Sequence, residues 1–112
     1  MVAGKPQLNP AEAAGWRQAI ARDWKKFQNA PAALRAELRT AIEAVRQPGG
    51  WRAFQFASEE LLTDRGAALE ALPFGGQMLQ FLSPELRSDR EIVLAAVRQD
   101  GAALRFAYGP AL

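Results

Sequence analysis

FLSPELRSDREIVLAAVRQDGAALR, residues 81–105, lies over FASEELLTDRGAALEALPFGGQMLQ, residues 56–80, when the chain is slid along itself by 25 positions. Ten of the 25 pairs are identical: Phe56/Phe81, Ser58/Ser83, Glu60/Glu85, Leu61/Leu86, Asp64/Asp89, Arg65/Arg90, Leu69/Leu94, Ala71/Ala96, Gly76/Gly101 and Leu79/Leu104. Chance in a chain this rich in Ala and Leu gives roughly two or three. Phe106 carries the phase into a further stub. Upstream, Ala44-Val45-Arg46-Gln47 and Gly49 lie 52 residues before Ala96-Val97-Arg98-Gln99 and Gly101. Two extra residues after Gly49 then bring Phe54 and Phe56 into register with Leu104 and Phe106. A period in this range reads as a stacked array in which each unit covers the apolar face of its neighbour.

The unit has a legible grammar. Ser83-Pro84-Glu85-Leu86 reads as a short turn with Pro at a helix start. Ser88 ahead of Asp89-Arg90-Glu91 has the pattern of a capping box, Ser88 and Glu91 each satisfying the other's backbone donor. Ile92, Val93, Ala96 and Val97 recur at helical spacing, which predicts a helix over 89–99. Asp100-Gly101 ends it, and a second, shorter helix over AALRFA is expected to bury Leu104 and Phe106. In the preceding unit Thr63 takes the capping place and Gly66 replaces the capping Glu, which predicts a softer helix near 64–72.

LRSDREIVLAAVRQDGAALRFA, residues 86–107, resembles the repeat of the family called domain of unknown function 4116. Its units read approximately Leu-x-x-Asp-Arg-Glu-apolar-Val-Leu-x-Ala-Val-x-Gln-Asn/Asp-Gly-x-Ala-Leu-x-x-Ala. The likeness is strong over this unit, weaker over 56–80 and partial over 42–56, and residues 1–41 show none. It implies a tandem helical array and no catalytic activity.

Ahead of the array, Asn9-Pro10-Ala11-Glu12 is a helix start, with Asn as cap and Pro at the first position. Trp16, Ile20, Trp24 and Phe27 come next at spacings of four, four and three, which predicts one amphipathic helix over 10–27. Asn29-Ala30-Pro31 breaks it. Leu34, Leu38, Ile42 and Val45 repeat the spacing and predict a second helix over 32–46. The expected fold is therefore all-α and solenoid-like: an antiparallel N-terminal amphipathic helix pair followed by short helix-pair repeats of period 25. In this division 1–8 is a flexible tail, 9–41 the N-terminal helices and 42–55 a degenerate repeat. Residues 56–80 and 81–105 are full repeats, and 106–112 is a terminal stub within one domain.

Composition narrows function by exclusion. The 112 residues contain no Cys and no His. Disulfides, zinc fingers, haem ligation and Cys–His or Ser–His–Asp catalysis are thereby removed. PFGGQ, residues 73–77, has neither a preceding strand nor a following Lys-Ser/Thr, so it is no phosphate loop. Glu59/Glu60 and Asp89/Glu91 sit at helix starts, where the helix dipole favours acids for structural reasons. The reading is of a protein without enzymatic activity or cofactor. No apolar run approaches the roughly 20 residues of a membrane span, and MVAGKPQLNP lacks the apolar core of a signal peptide, so the cytoplasm is the expected compartment.

Charge is uneven. Residues 1–56 carry nine Lys/Arg against four Asp/Glu, a net of +5, and residues 57–112 carry five against eight, a net of −3. Arg35, Arg39 and Arg46 would form nearly one line on a helix over 32–46, a stripe able to track phosphates. Glu37 and Glu43 beside it favour a solvated face instead. Trp51, after PGG, is a candidate contact residue. At the other end FAYGPAL offers Phe106, Tyr108 and Leu112 as a contact surface, for a second copy or another protein. The leading functional expectation is recognition of a protein partner. Nucleic-acid binding through the basic face is the first rival. A small inhibitor or decoy of phage or mobile-element origin is the second.

Overall fold

Asn9 opens the first helix by accepting the N–H of Ala11, and Pro10 comes next at the position that needs no donor. The computed structural model describes residues 8–108, and its elements are helical throughout this stretch, without a strand. The protein is all-α. Its α-helices are α1 (Pro10–Arg22), α2 (Ala32–Arg35), α3 (Leu38–Val45), α4 (Glu59–Leu62), α5 (Arg65–Ala71), α6 (Pro84–Arg87) and α7 (Arg90–Gln99). Between them run 3₁₀ helices over Trp24–Asn29, Gly50–Phe56, Leu72–Phe74, Gly76–Phe81 and Gly101–Phe106. The tail expected over 1–8, Leu8 apart, and the contact expected at Leu112 lie outside the described residues.

Two expected long helices are broken. The helix expected over 10–27 stops at Arg22, because Asp23 is extended (φ −150°, ψ 103°) and its carboxylate caps the N–H of Lys25. Trp24 and Phe27 therefore lie on a 3₁₀ helix and not on the stripe of Trp16 and Ile20. The helix expected over 32–46 divides at Glu37, also extended (φ −87°, ψ 118°), into α2 and α3. The packed partner of α1 is consequently the eight-residue α3 and not a long antiparallel helix.

The caps also differ from expectation by one residue. Ser88 closes α6, its hydroxyl donating to the Pro84 carbonyl, and Asp89 caps α7 by accepting from the N–H groups of Glu91 and Ile92. Thr63 likewise closes α4 by donating to the Glu59 carbonyl, and Asp64 caps α5 through the N–H of Ala67. A hydroxyl at the end of a four-residue helix satisfies one of its orphan carbonyls, which leaves the next residue free to cap the longer helix after it.

The elements pack in two layers. In one, α1 contacts α3, α3 contacts α5, and α5 contacts α7. In the other, the 3₁₀ helix Trp24–Asn29 contacts Gly50–Phe56, which contacts Gly76–Phe81, which contacts Gly101–Phe106. The resulting slab measures 51 × 33 × 17 Å. Its radius of gyration, 14.9 Å, exceeds the about 13 Å of an equidimensional domain of this length. Phe27, Phe54 and Leu79 fill the 3₁₀ layer and Ile20, Val45 and Ile92 the α layer, with Leu72 directly after α5, all fully buried.

Backbone clips join the successive stretches. Ser58 N–H donates to the Arg35 carbonyl at 2.9 Å, Ser83 N–H to Leu62 at 3.1 Å, and Tyr108 N–H to Arg87 at 2.8 Å. The front of the chain shares this local geometry although its sequence shows no likeness. Asp100 has the backbone angles of Asp23 (φ −152°, ψ 108°) and caps the N–H two residues on in the same way. The four longer 3₁₀ helices then end alike, Ala30, Ala57, Leu82 and Ala107 donating to the carbonyls of Phe27, Phe54, Leu79 and Leu104.

Candidate functional site

Those four terminal bonds put Phe27, Phe54, Leu79 and Leu104 at one structural position. The first three are fully buried and Leu104 is 48% exposed. Coverage explains the difference. The 3₁₀ helix Gly76–Phe81 lies between Gly50–Phe56 and Gly101–Phe106 and also packs on α7, whereas, among the described residues, Gly101–Phe106 packs chiefly on α7 and Gly76–Phe81, which precede it. Val97 behaves in the same way: Ile20, Val45 and Leu72 in the matching place are buried, and Val97 is half-exposed. The expectation that the last short helix buries Leu104 is therefore corrected. Ala103 supplies the buried contact there, and Phe106 is half-buried.

Phe106 and Tyr108 are held at this end by arginines. Arg87 donates to the Phe106 carbonyl at 2.9 Å, and its guanidinium lies 4.5 Å from the centre of the Tyr108 ring. Arg105 lies 4.8 Å from the Phe106 ring centre. With Leu94, Leu104 and Tyr108 exposed, this end presents apolar surface on a fixed frame.

The three front-half arginines are not brought together. Arg35 ends α2 and is spent on backbone, donating to the carbonyls of Ala30 and Phe56 at 3.0 and 3.3 Å. It stands to the 3₁₀ helix Gly50–Phe56 as Arg87 stands to Gly101–Phe106. Arg39 and Arg46 share one face of α3, in a shallow depression that Leu38, Ile42, Glu43 and Glu70 also line. Arg46 reaches Glu43 at 3.6 Å, so the surface is of mixed sign. Trp51 lies elsewhere. It is half-buried, stacked on Phe81 with ring centres 6.0 Å apart and with Arg52 over its face. Its Cβ also sits where a side chain on Gly75 would have to go.

Sequence reasoning missed the role of the two AVRQ stretches. Gln47 accepts the N–H of Trp24 at 2.9 Å while donating to the carbonyls of Ile20 and Glu43. Gln99 accepts the N–H of Gly76. Each glutamine thus caps the start of the 3₁₀ helix before it. The alanine of each motif is equally engaged, because Gly50 and Gly76 press on the Ala44 and Ala96 carbonyls so closely that a Cβ would stand 2.0 and 2.2 Å from the oxygen. The repetition of Ala-Val-Arg-Gln was the available signal for the glutamine contacts.

Ion pairs cross the same junctions. Arg17 grips Glu37 with two bonds, at 2.8 and 3.2 Å, and Thr40 donates to the same carboxylate. Arg65 bonds Asp89 at 2.8 Å and also Glu91. The bond from Arg17 holds the Glu37 carboxyl below its ordinary range, against a smaller opposing effect of burial. The Arg65 guanidinium lowers Asp89 in the same way. Asp100 is lowered chiefly by the amide of Gln77, with help from the Ala102 N–H. At the opposite end, Glu12, Gly15, Trp16, Ala19 and Lys26 line an open groove of about 430 Å³. Among the described residues, no helix is long and apolar enough to cross a membrane.

No curated protein and no solved structure matches the chain. One family model does, beginning at the Asp64 cap and running through α5, α6, α7 and the 3₁₀ helix after it. Residues 64–109 match the family described as Domain of unknown function (DUF4116).

Proposed function

We propose that the chain is a non-catalytic module of tandem helical repeats, period 25, that works by recognising a protein. The recurring Asp caps, backbone clips and cross-junction ion pairs support reading it as a solenoid-like stack. One observation carries the functional reading. Apolar residues at the Leu104 and Val97 positions, buried elsewhere in the molecule, face solvent at one end. Stacked units expose a continuous surface that binds without chemistry, and apolar patches with fixed aromatic rims are where protein contacts concentrate. The cytoplasm remains the proposed compartment.

Binding of nucleic acid through the basic front half draws less support, since Arg35 is committed to carbonyls and Arg46 to Glu43. Affinity capture with wild type beside Leu104→Asp tests the reading, with mobility shifts on DNA and RNA at two salt concentrations as the second arm. A protein retained by wild type and lost with Leu104→Asp is the expected result. Nucleic-acid retardation that weakens steeply with salt and is reduced by Arg39→Gln, with no protein retained, would replace it.

A further inference from the structure

The two ends of the slab are open in complementary ways. At the back, among the described residues, Leu104 is half exposed and Val97 half-buried where Leu79 and Leu72 are fully buried. At the front, the equivalence of Asp23 with Asp100 places Gly15, Trp16 and Ala19 at the positions of Ile92, Val93 and Ala96 on α7. The α7 residues are buried, with α7 packed on the 3₁₀ helices Leu72–Phe74 and Gly76–Phe81. Ala67, Ala68 and Ala71 of α5 are buried at the same positions. On α1, Gly15 is exposed and Trp16 and Ala19 are half-buried along the groove. Among the described residues, therefore, nothing covers Leu104 and Val97 at the back or Gly15 at the front as the matching positions are covered inside the slab.

Resting on the protein-recognition reading, we infer that the partner is a second copy of this chain, stacked head to tail. Its α1 lies on Gly101–Phe106 as α7 lies on Gly76–Phe81, and Leu104 enters the groove at Gly15, Trp16 and Ala19. Two further observations favour this occupant. Arg65 of α5 pairs with Asp89 at the start of α7. By the same register Arg90 of one copy meets Glu12 of the next, and both are exposed in the single chain. The halves also differ in sign, +5 at the front and −3 at the back, so a head-to-tail contact joins opposite charges whereas a tail-to-tail contact joins like ones. Arg22 stands where Gln47 and Gln99 stand, so this junction lacks the amide clamp, as does the α5 stretch with Phe74 at that place. A heterologous contact of this kind grows openly unless its rotation closes a ring.

Sedimentation velocity from about 1 μM to 1 mM reads the association. Wild type is expected to rise in size with concentration without halting at a dimer. Leu104→Asp and Gly15→Glu each remove one face and are expected to remain monomeric with unchanged circular dichroism. Nothing lies within 4 Å of a Cβ at Gly15, and Glu is the better helix former. A mixture of the two variants is decisive, because each retains the face the other lost, and it should form a dimer and nothing larger. Glu12→Arg and Arg90→Glu should each weaken association about two- to fivefold at low salt, and the double variant should recover it. A wild type monomeric throughout overturns the inference, as does a dimer disrupted by Leu104→Asp but indifferent to Gly15→Glu. A monomer that still retains another protein through Leu104 leaves the recognition reading standing and removes only the self-stacking.

Discussion

Leu79 and Leu104 are each the fourth residue of a 3₁₀ helix that opens with glycine, and each accepts the N–H three residues on. One is fully buried and the other half exposed. Their local sequence and local hydrogen bonding are alike, so neither accounts for the difference. What differs, among the described residues, is that a further 3₁₀ helix follows that of Leu79 and none follows that of Leu104. An apolar residue becomes core here only when something packs on it, and the same letter is surface at the end of the slab.

The widest separation is expected from truncating the two leucines. Leu79→Ala should cost about 2–5 kcal/mol by the lost transfer and the residual cavity, whereas Leu104→Ala should stay within about 0.5 kcal/mol of wild type. Urea unfolding of the dilute protein measures both, and equal losses would show that Leu104 is covered in solution. The next test uses the glycines that open the same two helices. A Cβ at Gly76 would meet the Ala96 carbonyl oxygen at 2.2 Å, while one at Gly101 meets nothing within 4 Å. Gly76→Ala should therefore lose about 1–3 kcal/mol through forced displacement, and Gly101→Ala should be nearly neutral by thermal melting.

A smaller effect separates the residues at the start of α7. Asp89→Ala removes the cap and should cost about 1 kcal/mol, and Ser88→Ala, which removes only a bond to the Pro84 carbonyl, should cost less. Reversal of that order in denaturant titrations would return the cap to Ser88. The smallest effect is that of pH. Glu37, Asp89 and Asp100 all titrate below their ordinary range in the folded chain. Each contributes stability that is present above the unfolded carboxylate pKa of about 4 and is lost as pH falls through its lowered folded value. The urea midpoint should decline below about pH 4, and Asp89→Asn should flatten that decline; a midpoint indifferent to acid would deny these carboxylates any role at the junctions.

Part of the fold was legible because several residues matched by the 25-residue offset are buried. Ala71, Ala96, Leu79 and Leu61, all identified by the 25-residue offset, lie in the core or against it. The breaks at Asp23 and Glu37 were not legible, for a specific reason. Asp100 announces its turn with a following glycine, whereas Asp23 is followed by Trp24, so the apolar spacing ran on through a residue that reverses the chain. Glu37 holds the cap position of Asp64 and Asp89, but its side chain bonds Arg17 and Thr40 and not its own backbone. The candidate site was half legible. Phe106 and Tyr108 came from the register, while Gln47, Gln99 and the front groove emerged only when the junctions were seen in three dimensions.

The clips between stretches have a kinetic consequence. The longest side-chain hydrogen bond, from Gln47 to the Ile20 carbonyl, joins residues 27 apart. No such bond among the described residues asks distant parts of the chain to find one another. Loop closure over so few residues carries a modest entropic penalty, and chains rich in near-neighbour contacts fold in microseconds to milliseconds. The order of assembly is then free: any neighbouring pair of stretches can dock first and serve as the template on which the rest condenses.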